Sequence, residues 1–160
     1  MKQYIGTKII HAEPARRYWF ENGEKLVVPD SEENPERIKQ AAARESGYKV
    51  VYSPDGYESW SPKDVFEEAY RETTGMPFGL AIEAMKMGRA VAREGWNGKE
   101  MFLYYVPANE YAVTTEIARS YFGDTVPYGA YIAMKTMQGN VVPWLASQTD
   151  MLADDWQIVE

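Results

Sequence analysis

A break in the sequence pattern near residue 75 limits what this chain can fold into. Thr73-Thr74-Gly75 ends a stretch of helical periodicity, and Met76-Pro77 begins a different pattern. We therefore predict two domains, residues 1–74 and residues 76–160. A domain of about 85 residues buries only about 60–65% of the surface that its unfolded chain exposes, so each half has little apolar area for a core of its own. Self-association of such a domain would bury more of its apolar surface.

The composition excludes several classes of functional site. The 160 residues include no cysteine, which excludes disulfides, zinc–thiolate centres and cysteine nucleophiles. With His11 as the one histidine, we expect neither a multi-histidine metal centre nor a Ser-His-Asp triad. A net charge of −7 argues against DNA or RNA as a partner, because nucleic acids select a basic surface. No apolar run approaches the ~20 residues of a membrane helix and no signal-peptide pattern opens the chain, so we expect a cytoplasmic protein without a membrane partner.

The first half has the signals of a small α+β unit. Asn34-Pro35 has the form of a helix N-terminus, and Gly47 would end that helix. Ser53-Pro54-Asp55-Gly56 is a hairpin signal, and Ser61-Pro62 is expected to cap a last helix. We predict strands at 4–11, 25–28, 48–52 and 57–60, a helix at 36–45, and a last helix with Val65, Phe66, Ala69 and Tyr70 on one face.

The second half predicts an N-terminal helix followed by antiparallel β-strands. Apolar residues at 78, 81, 82 and 85 recur at helical spacing, and Gly88 ends the pattern. The stretch 107–129 contains Pro and Gly and is expected to be an irregular insertion loop with a helical turn. Ser147 is predicted to cap a short turn. Predicted strands lie at 90–93, 101–106, 131–135, 141–144 and 156–159, which makes the fold class α+β.

The sequence offers few candidates for catalysis. His11 lies in a strand pattern and is expected to be structural or exposed. Asp154 and Asp155 resemble an acid–base pair, but neighbouring strand residues point to opposite faces, so we expect a solvated turn. Gly95-x-x-Gly98 is too short for a phosphate-binding glycine fingerprint. We predict no catalytic residue, no metal ligand and no cofactor, and therefore a protein that is not an enzyme.

Two loops offer groups that suit a nucleotide. Trp96 and Asn97 place an indole beside an amide on a loop flanked by glycines. Trp144 precedes a predicted helix N-terminus rich in polar side chains, where free backbone N–H groups favour anions such as phosphate. The alternative interpretation is that Ser147 and Thr149 only cap the helix and that Trp144 anchors the core. The polar residues are Ser147, Gln148, Thr149 and Asp150, and local positive charge comes from Arg89, Arg93 and Lys99.

Four segments of the second half carry a resemblance to a known family. They are Phe78-Gly-Leu-Ala-Ile-Glu-Ala-Met85, Arg93-Glu-Gly-Trp-Asn-Gly98, Met101-Phe-Leu103 and Val141-Val-Pro-Trp-Leu-Ala-Ser-Gln-Thr-Asp-Met-Leu-Ala-Asp-Asp-Trp156. With them, residues 76–160 resemble the second Thoeris anti-defence family of bacteriophages. Members of that family are small sponge proteins that bind the bacterial immune signal glycocyclic ADP-ribose, and some hold guanine-containing cyclic dinucleotides at a separate site. They form homotetramers with ligand pockets between protomers.

The resemblance implies a phage protein that inhibits Thoeris defence by sequestering a nucleotide signal in the host bacterial cytoplasm, without chemistry. It implies Trp96 as the stacking platform, Asn97 as a polar reader of the ligand and Trp144 as a wall of the pocket. Ser147, Gln148, Thr149 and Asp150 would contact ribose, phosphate or base. Two alternatives stay open at this point: an enzyme that degrades the same signal, and an interaction module that blocks a defence protein directly.

The first half resembles a different family of small phage proteins, whose function is unknown. Tyr4-Ile-Gly-Thr-Lys8, Ala12-Glu-Pro14 and the segment from Gly56 to Tyr70 carry this likeness. Sponge proteins usually stand alone, so the additional domain departs from the pattern of the family. Its role is left open: it would alter assembly, bind a second ligand or only stabilise the protein.

Overall fold

The computed structural model describes residues 3, 7–32, 35–53, 55–96 and 100–159. The chain divides into two compact units, Met1–Arg71 and Glu72–Glu160. Both units combine helices with antiparallel strands, which confirms the predicted α+β class.

In its described residues, the first unit is a four-stranded antiparallel sheet with two helices. Its sheet has the order β2-β1-β3-β4, and the ten residues of β1 pair with the ten of β3, from Ile10 opposite Tyr52 to Trp19 opposite Ala43. On α2, the Phe66 ring stacks on Tyr48 with centroids 4.0 Å apart. The elements are β1 (Ile10–Trp19), β2 (Lys25–Pro29), α1 (Pro35–Ile38), β3 (Ala43–Tyr52), β4 (Tyr57–Pro62) and α2 (Lys63–Ala69).

Gly47 on β3 packs against β4 without room for a side chain. A Cβ atom at this position would lie 2.2 Å from the Ser61 carbonyl oxygen and 2.6 Å from the Trp60 ring. The glycine therefore allows an indole to lie directly over the backbone of the neighbouring strand.

Two predictions for the first unit are wrong because sheet pairing overrides local signals. The predicted helix at 36–45 ends at Ile38, and Glu45 instead pairs with Arg17 across β1 and β3, so Gly47 is a strand residue and not a helix terminus. The predicted strand at 4–11 begins only at Ile10 and continues to Trp19, while residues 4–6 lie outside the described part of the chain. Strand β2, the β3–β4 hairpin and helix α2 are confirmed.

The details of α2 also differ from the prediction. Its N-cap is Pro62, which makes no side-chain capping hydrogen bond, so the Ser61 hydroxyl does not cap the helix. Val65 is 58% exposed and is not part of the buried face, whereas Phe66 stacks on Tyr70 as well as on Tyr48.

The second unit is a six-stranded antiparallel sheet with helix α3 packed on it. The strand order is β11-β10-β7-β6-β12-β5, so the last strand of the chain lies between two of the earliest strands of the unit. A separate two-stranded sheet joins β8 to β9. The elements are β5 (Thr74–Met76), α3 (Phe78–Lys86), β6 (Ala90–Arg93), β7 (Phe102–Val106), β8 (Asn109–Ala112), α4 (Glu116–Phe122), β9 (Thr125–Tyr128), β10 (Tyr131–Lys135), β11 (Val141–Pro143), α5 (Gln148–Met151) and β12 (Trp156–Val159).

The core of the second unit lies between α3 and the sheet. Ala81 and Met85 on the helix meet Val91, Leu103 and Trp156 on the strands, and all five are buried. The helix ends where predicted, because Gly88 has a φ of +84°, which closes a helix at little cost for a glycine.

Two features of the second unit depart from the prediction. Strand β5 precedes the helix and pairs with β12, so Thr74, which the predicted first domain includes, lies in the second unit. The stretch 107–129 is not an irregular loop but contains β8, α4 and β9, with the Thr115 hydroxyl accepting the Ala118 N–H to cap α4.

No helix in the described ranges is long and apolar enough to cross a membrane.

Candidate functional site

Four aromatic rings form a cluster at one end of the large sheet in the second unit. Trp156, at the start of β12, is fully buried at its centre. Its ring centroid lies 5.3 Å from Phe78, 5.6 Å from Trp96 and 6.0 Å from Trp144. Trp96 and Trp144, the two indoles singled out in the sequence, are 6.5 Å apart and half-buried. Each therefore combines a surface packed on the core with a surface exposed to solvent.

Arg93, the last residue of β6, joins this cluster to two carboxylates. Its Nε and Nη2 donate to the two oxygens of Asp155 at 2.7 and 3.3 Å, and its Nη1 donates to Asp150 Oδ1 at 3.0 Å. The Gly95 N–H also donates to Asp155 Oδ2, at 3.2 Å. Such charge-assisted, forked bonds fix geometry more strictly than a single contact. The prediction that the two aspartates Asp154 and Asp155 form a solvated turn is therefore wrong for Asp155, while Asp154 is exposed.

Helix α5 begins with a capping box made by Ser147 and Asp150. The Ser147 N–H and hydroxyl donate to Asp150 Oδ2 at 3.1 and 2.6 Å, and the Asp150 N–H donates to the Ser147 hydroxyl. The Thr149 hydroxyl lies 2.8 Å from that of Ser147. The carboxylate of Asp150 thus fills the helix N-terminus that the sequence led us to expect open to a phosphate.

The backbone of the turn is tied to the aromatic cluster as well. The Trp156 Nε1–H donates to the Asp150 carbonyl oxygen at 3.0 Å, which satisfies the one polar atom of a fully buried indole. At the far end of the loop that carries Trp96, the Lys135 ammonium donates to the carbonyl oxygen of Glu100 at 3.0 Å and to its carboxylate at 3.3 Å. Both the turn and the loop are therefore anchored to the sheet.

The charges of this network reinforce one another. The hydrogen bonds from Arg93 hold the pKa of Asp155 below its usual value. For Asp150, burial acts to raise the pKa, but the hydrogen bonds from Ser147 and Arg93 together outweigh it and lower the pKa. The two carboxylates in turn raise the pKa of Arg93, with Asp155 contributing most. All three groups are therefore ionised at neutral pH.

The structure brings most of the predicted site residues into one region. Trp96 and Trp144 both lie next to the buried ring of Trp156. Asp150 accepts a hydrogen bond from Arg93, the last residue of β6, which precedes Trp96 in the chain. Asn97 and Lys99 lie outside the described residues. Ser147, Gln148 and Thr149 are exposed on the adjoining turn. The capping alternative is correct for Ser147, which caps α5. Trp144 also packs against the core, as that alternative expects, while part of its ring stays exposed.

The sequence reasoning missed the joining role of Arg93 and Asp155. The sequence predicts Arg93 only as a source of local positive charge, and Asp155 lies 62 residues further along the chain. Both residues are in segments that carry the family resemblance, which was the available signal. Their pairing itself depends on β12 lying beside β6, with Trp156 opposite Arg93.

This region combines aromatic surfaces with hydrogen-bonding groups. Two partly open indole faces suit a planar base, and the adjoining hydroxyl and amide groups offer both donors and acceptors. Within the described ranges, no group of three or more His, Asp or Glu side chains is placed to hold a metal ion. A surface depression in the first unit, lined by Tyr18, Ile38, Lys39 and Ala41–Arg44, includes none of the predicted site residues.

Comparison with known proteins assigns the second unit to a family. A family model described as the Thoeris anti-defense 2-like domain matches residues 76–159. The chain belongs to this family. A curated protein named Thoeris anti-defense 2, from Bacillus phage SP01, is 40% identical over 86 residues, which make up 54% of this chain and 97% of that relative. The resemblance found in the sequence is thereby confirmed for the second half.

The Thoeris anti-defense 2-like domain coincides with the second structural unit. Its matched range contains the aromatic cluster, the Arg93 network and all seven predicted site residues, from Trp96 to Asp150. The likeness of the first unit to small phage proteins of unknown function stays a prediction.

Proposed function

We propose that this protein counters Thoeris defence by binding and sequestering a bacterial immune nucleotide signal of the glycocyclic ADP-ribose type. The observation that carries the proposal is the pair of half-buried indoles, Trp96 and Trp144, beside a polar turn in the domain that defines the family. Some family members also hold guanine-containing cyclic dinucleotides, and we extend the proposal to that class.

We infer the contacts of the ligand from the parts of the two indoles and of the polar turn that are exposed to solvent. A purine would stack on Trp96, with Trp144 as the adjoining wall, and stacking contributes ~1–3 kcal/mol per base. The exposed side chains of Ser147, Gln148 and Thr149 would meet ribose and phosphate oxygens. We propose Asn97 as a further reader of the base.

Asp150 has a double role in this proposal. Its Oδ2 already accepts two hydrogen bonds from Ser147, and its Oδ1 accepts one from Arg93. The remaining acceptor capacity of Oδ1 suits a single donor of the ligand, such as a ribose hydroxyl or an exocyclic amine. Asp150 therefore both shapes the turn and contacts the ligand.

Sequestration requires high affinity, and a rigid site supports it. A dissociation constant of 1 nM corresponds to about −12.3 kcal/mol, which is reached only when little ordering is left for the binding step. The loop with Trp96 is anchored at Gly95 and at Glu100, and the turn is held by its capping box. These anchors would supply the required preorganisation.

We further propose a homotetramer whose pockets lie between protomers. Leu145 and Leu152, on either side of α5, are 91% and 80% exposed, and Met151 is 47% exposed. Large apolar side chains that flank a polar turn are typical of a surface covered by a partner. A second copy on this surface would also enclose the ligand from the side that one protomer leaves open.

Calorimetry followed by recovery of the ligand distinguishes this proposal from its alternatives. We expect stoichiometric binding of glycocyclic ADP-ribose, or of a guanine-containing cyclic dinucleotide, with the ligand returned unchanged after heat denaturation. Recovery of a shorter nucleotide would replace sequestration by degradation. Absence of binding to the whole nucleotide panel would favour a protein-interaction module, for which the exposed Ile117, Tyr121 and Phe122 of α4 provide an apolar face.

A further inference from the structure

We infer that Arg93 is the positioning residue of the proposed nucleotide site, because its guanidinium holds the loop with Trp96 and the turn with Ser147 and Asp150 in one arrangement. The inference rests on the proposed function. It assigns to Arg93 a task that does not require contact with the ligand: the side chain sets the distance between the two halves of the site.

The two halves of the site come from distant parts of the chain. The loop follows β6, and the Trp96 N–H donates to the Arg93 carbonyl oxygen at 3.3 Å. The turn lies 57 residues further along the chain from Arg93 and is reached through the bond from its Nη1 to Asp150. A third segment, immediately before β12, is reached through Asp155. One side chain thus connects the three segments.

The connection continues beyond the ion pairs to the groups that would meet the ligand. Asp155 holds the loop through the Gly95 N–H, next to Trp96. Asp150 holds the turn through the Ser147 N–H and hydroxyl, next to the exposed Gln148 and Thr149. Removal of the guanidinium would release both connections at once.

The geometry requires arginine and not only a positive charge. Nε and Nη2 form a fork on one carboxylate while Nη1 reaches the other, and a lysine ammonium cannot reproduce this planar pattern. The three side chains are also shielded, with 21% of Arg93, 16% of Asp150 and 31% of Asp155 exposed. Shielded charges cost more to leave unpaired than exposed ones.

The test compares Arg93→Gln and Arg93→Lys with wild type in the full chain, using glycocyclic ADP-ribose as the probe in calorimetry. We expect Arg93→Gln to lose at least tenfold in affinity and Arg93→Lys to recover only part of that loss. The control is Arg119→Gln, which removes an ion pair of the same unit whose arginine is 57% exposed, and we expect its affinity to stay within twofold.

Two readouts separate positioning from direct contact with the ligand and from general destabilisation. The near-ultraviolet circular dichroism of the coupled tryptophans should change in Arg93→Gln and not in Arg119→Gln. Asp155→Asn leaves the charge of Arg93 in place but breaks its fork, so it should also lower the affinity, whereas a direct ion pair between Arg93 and phosphate would survive this substitution. If Arg93→Gln unfolds, Asp155→Asn, which keeps the size of the side chain, should show the same changes in milder form.

Three results would overturn the inference. They are an affinity of folded Arg93→Gln within threefold of wild type, full recovery by lysine, and an affinity of Asp155→Asn equal to that of wild type. If wild type binds none of the nucleotides, the proposed function fails. The circular dichroism of the Arg93→Gln variant then still decides whether Arg93 orders the cluster, and an unchanged spectrum would refute that role as well.

Discussion

Replacement of Trp96 by alanine tests where the proposed nucleotide site lies. The ring is half-buried, packs with its centroid 5.6 Å from Trp156 in an edge-on arrangement, and lies 6.5 Å from Trp144. The substitution removes the open face on which a base would stack. It leaves Trp156 and Trp144 in contact with each other, with ring centroids 6.0 Å apart.

The expected effect has one part in binding and one in stability. Loss of a stacking surface costs ~1–3 kcal/mol, and a tenfold change in affinity is about 1.4 kcal/mol, so the affinity should fall at least tenfold. Truncation of a fully buried Trp to Ala costs about 3–5 kcal/mol of stability. For the half-buried Trp96 we expect about half of that value, and the domain should remain folded below its lowered Tm.

The measurement is calorimetry with glycocyclic ADP-ribose, together with thermal unfolding by circular dichroism. Trp96→Phe, which keeps an aromatic face, should retain most of the affinity. Trp19→Ala removes a half-buried indole of the first unit and should leave the affinity within twofold. If folded Trp96→Ala binds as tightly as wild type, the ligand does not stack on this residue and the site lies elsewhere.

Three further outcomes are expected. The hydrogen bonds from Arg93 lower the pKa of Asp155, so the ionised carboxylate contributes its full stability above about pH 4 and loses it as the pH falls through the lowered value. In urea unfolding between pH 2 and 7, Asp155→Asn should therefore lose less stability in acid than wild type does. In the same denaturation assay, Gly47→Ala should destabilise the first unit by at least ~2 kcal/mol, because β4 lies too close for a Cβ atom. Gly79→Ala in α3 is the control: this position has open space around it, so the change should be neutral or stabilising by up to about 1 kcal/mol. By light scattering and calorimetry, residues 76–160 should be soluble, oligomeric and able to bind the nucleotide. Residues 72–160 should melt at a higher temperature because they retain strand β5, and if this longer fragment is a monomer that binds nothing, the second unit alone does not form the site.

Elements whose signals lie within a few neighbouring residues could be predicted from the sequence. The helix that begins at Phe78 has its apolar spacing and its terminating Gly88 within one short segment. The same holds for the β3–β4 hairpin and for Ser147 as the cap of α5. In each case the stabilising partner lies a few positions away, and no knowledge of the rest of the fold is needed.

Only the tertiary structure decided the features whose partners are distant in the chain. Glu45 has the setting of a helix residue, yet it lies in β3 because a ten-residue strand pairs along the whole of that segment. Asp155 has the setting of an exposed turn, yet it is an ion-pair partner because β12 is inserted beside β6 and brings it to Arg93. The physical reason is the same in both cases: local preferences amount to a few tenths of a kcal/mol per residue, whereas sheet pairing and shielded ion pairs depend on contacts that only the folded chain provides.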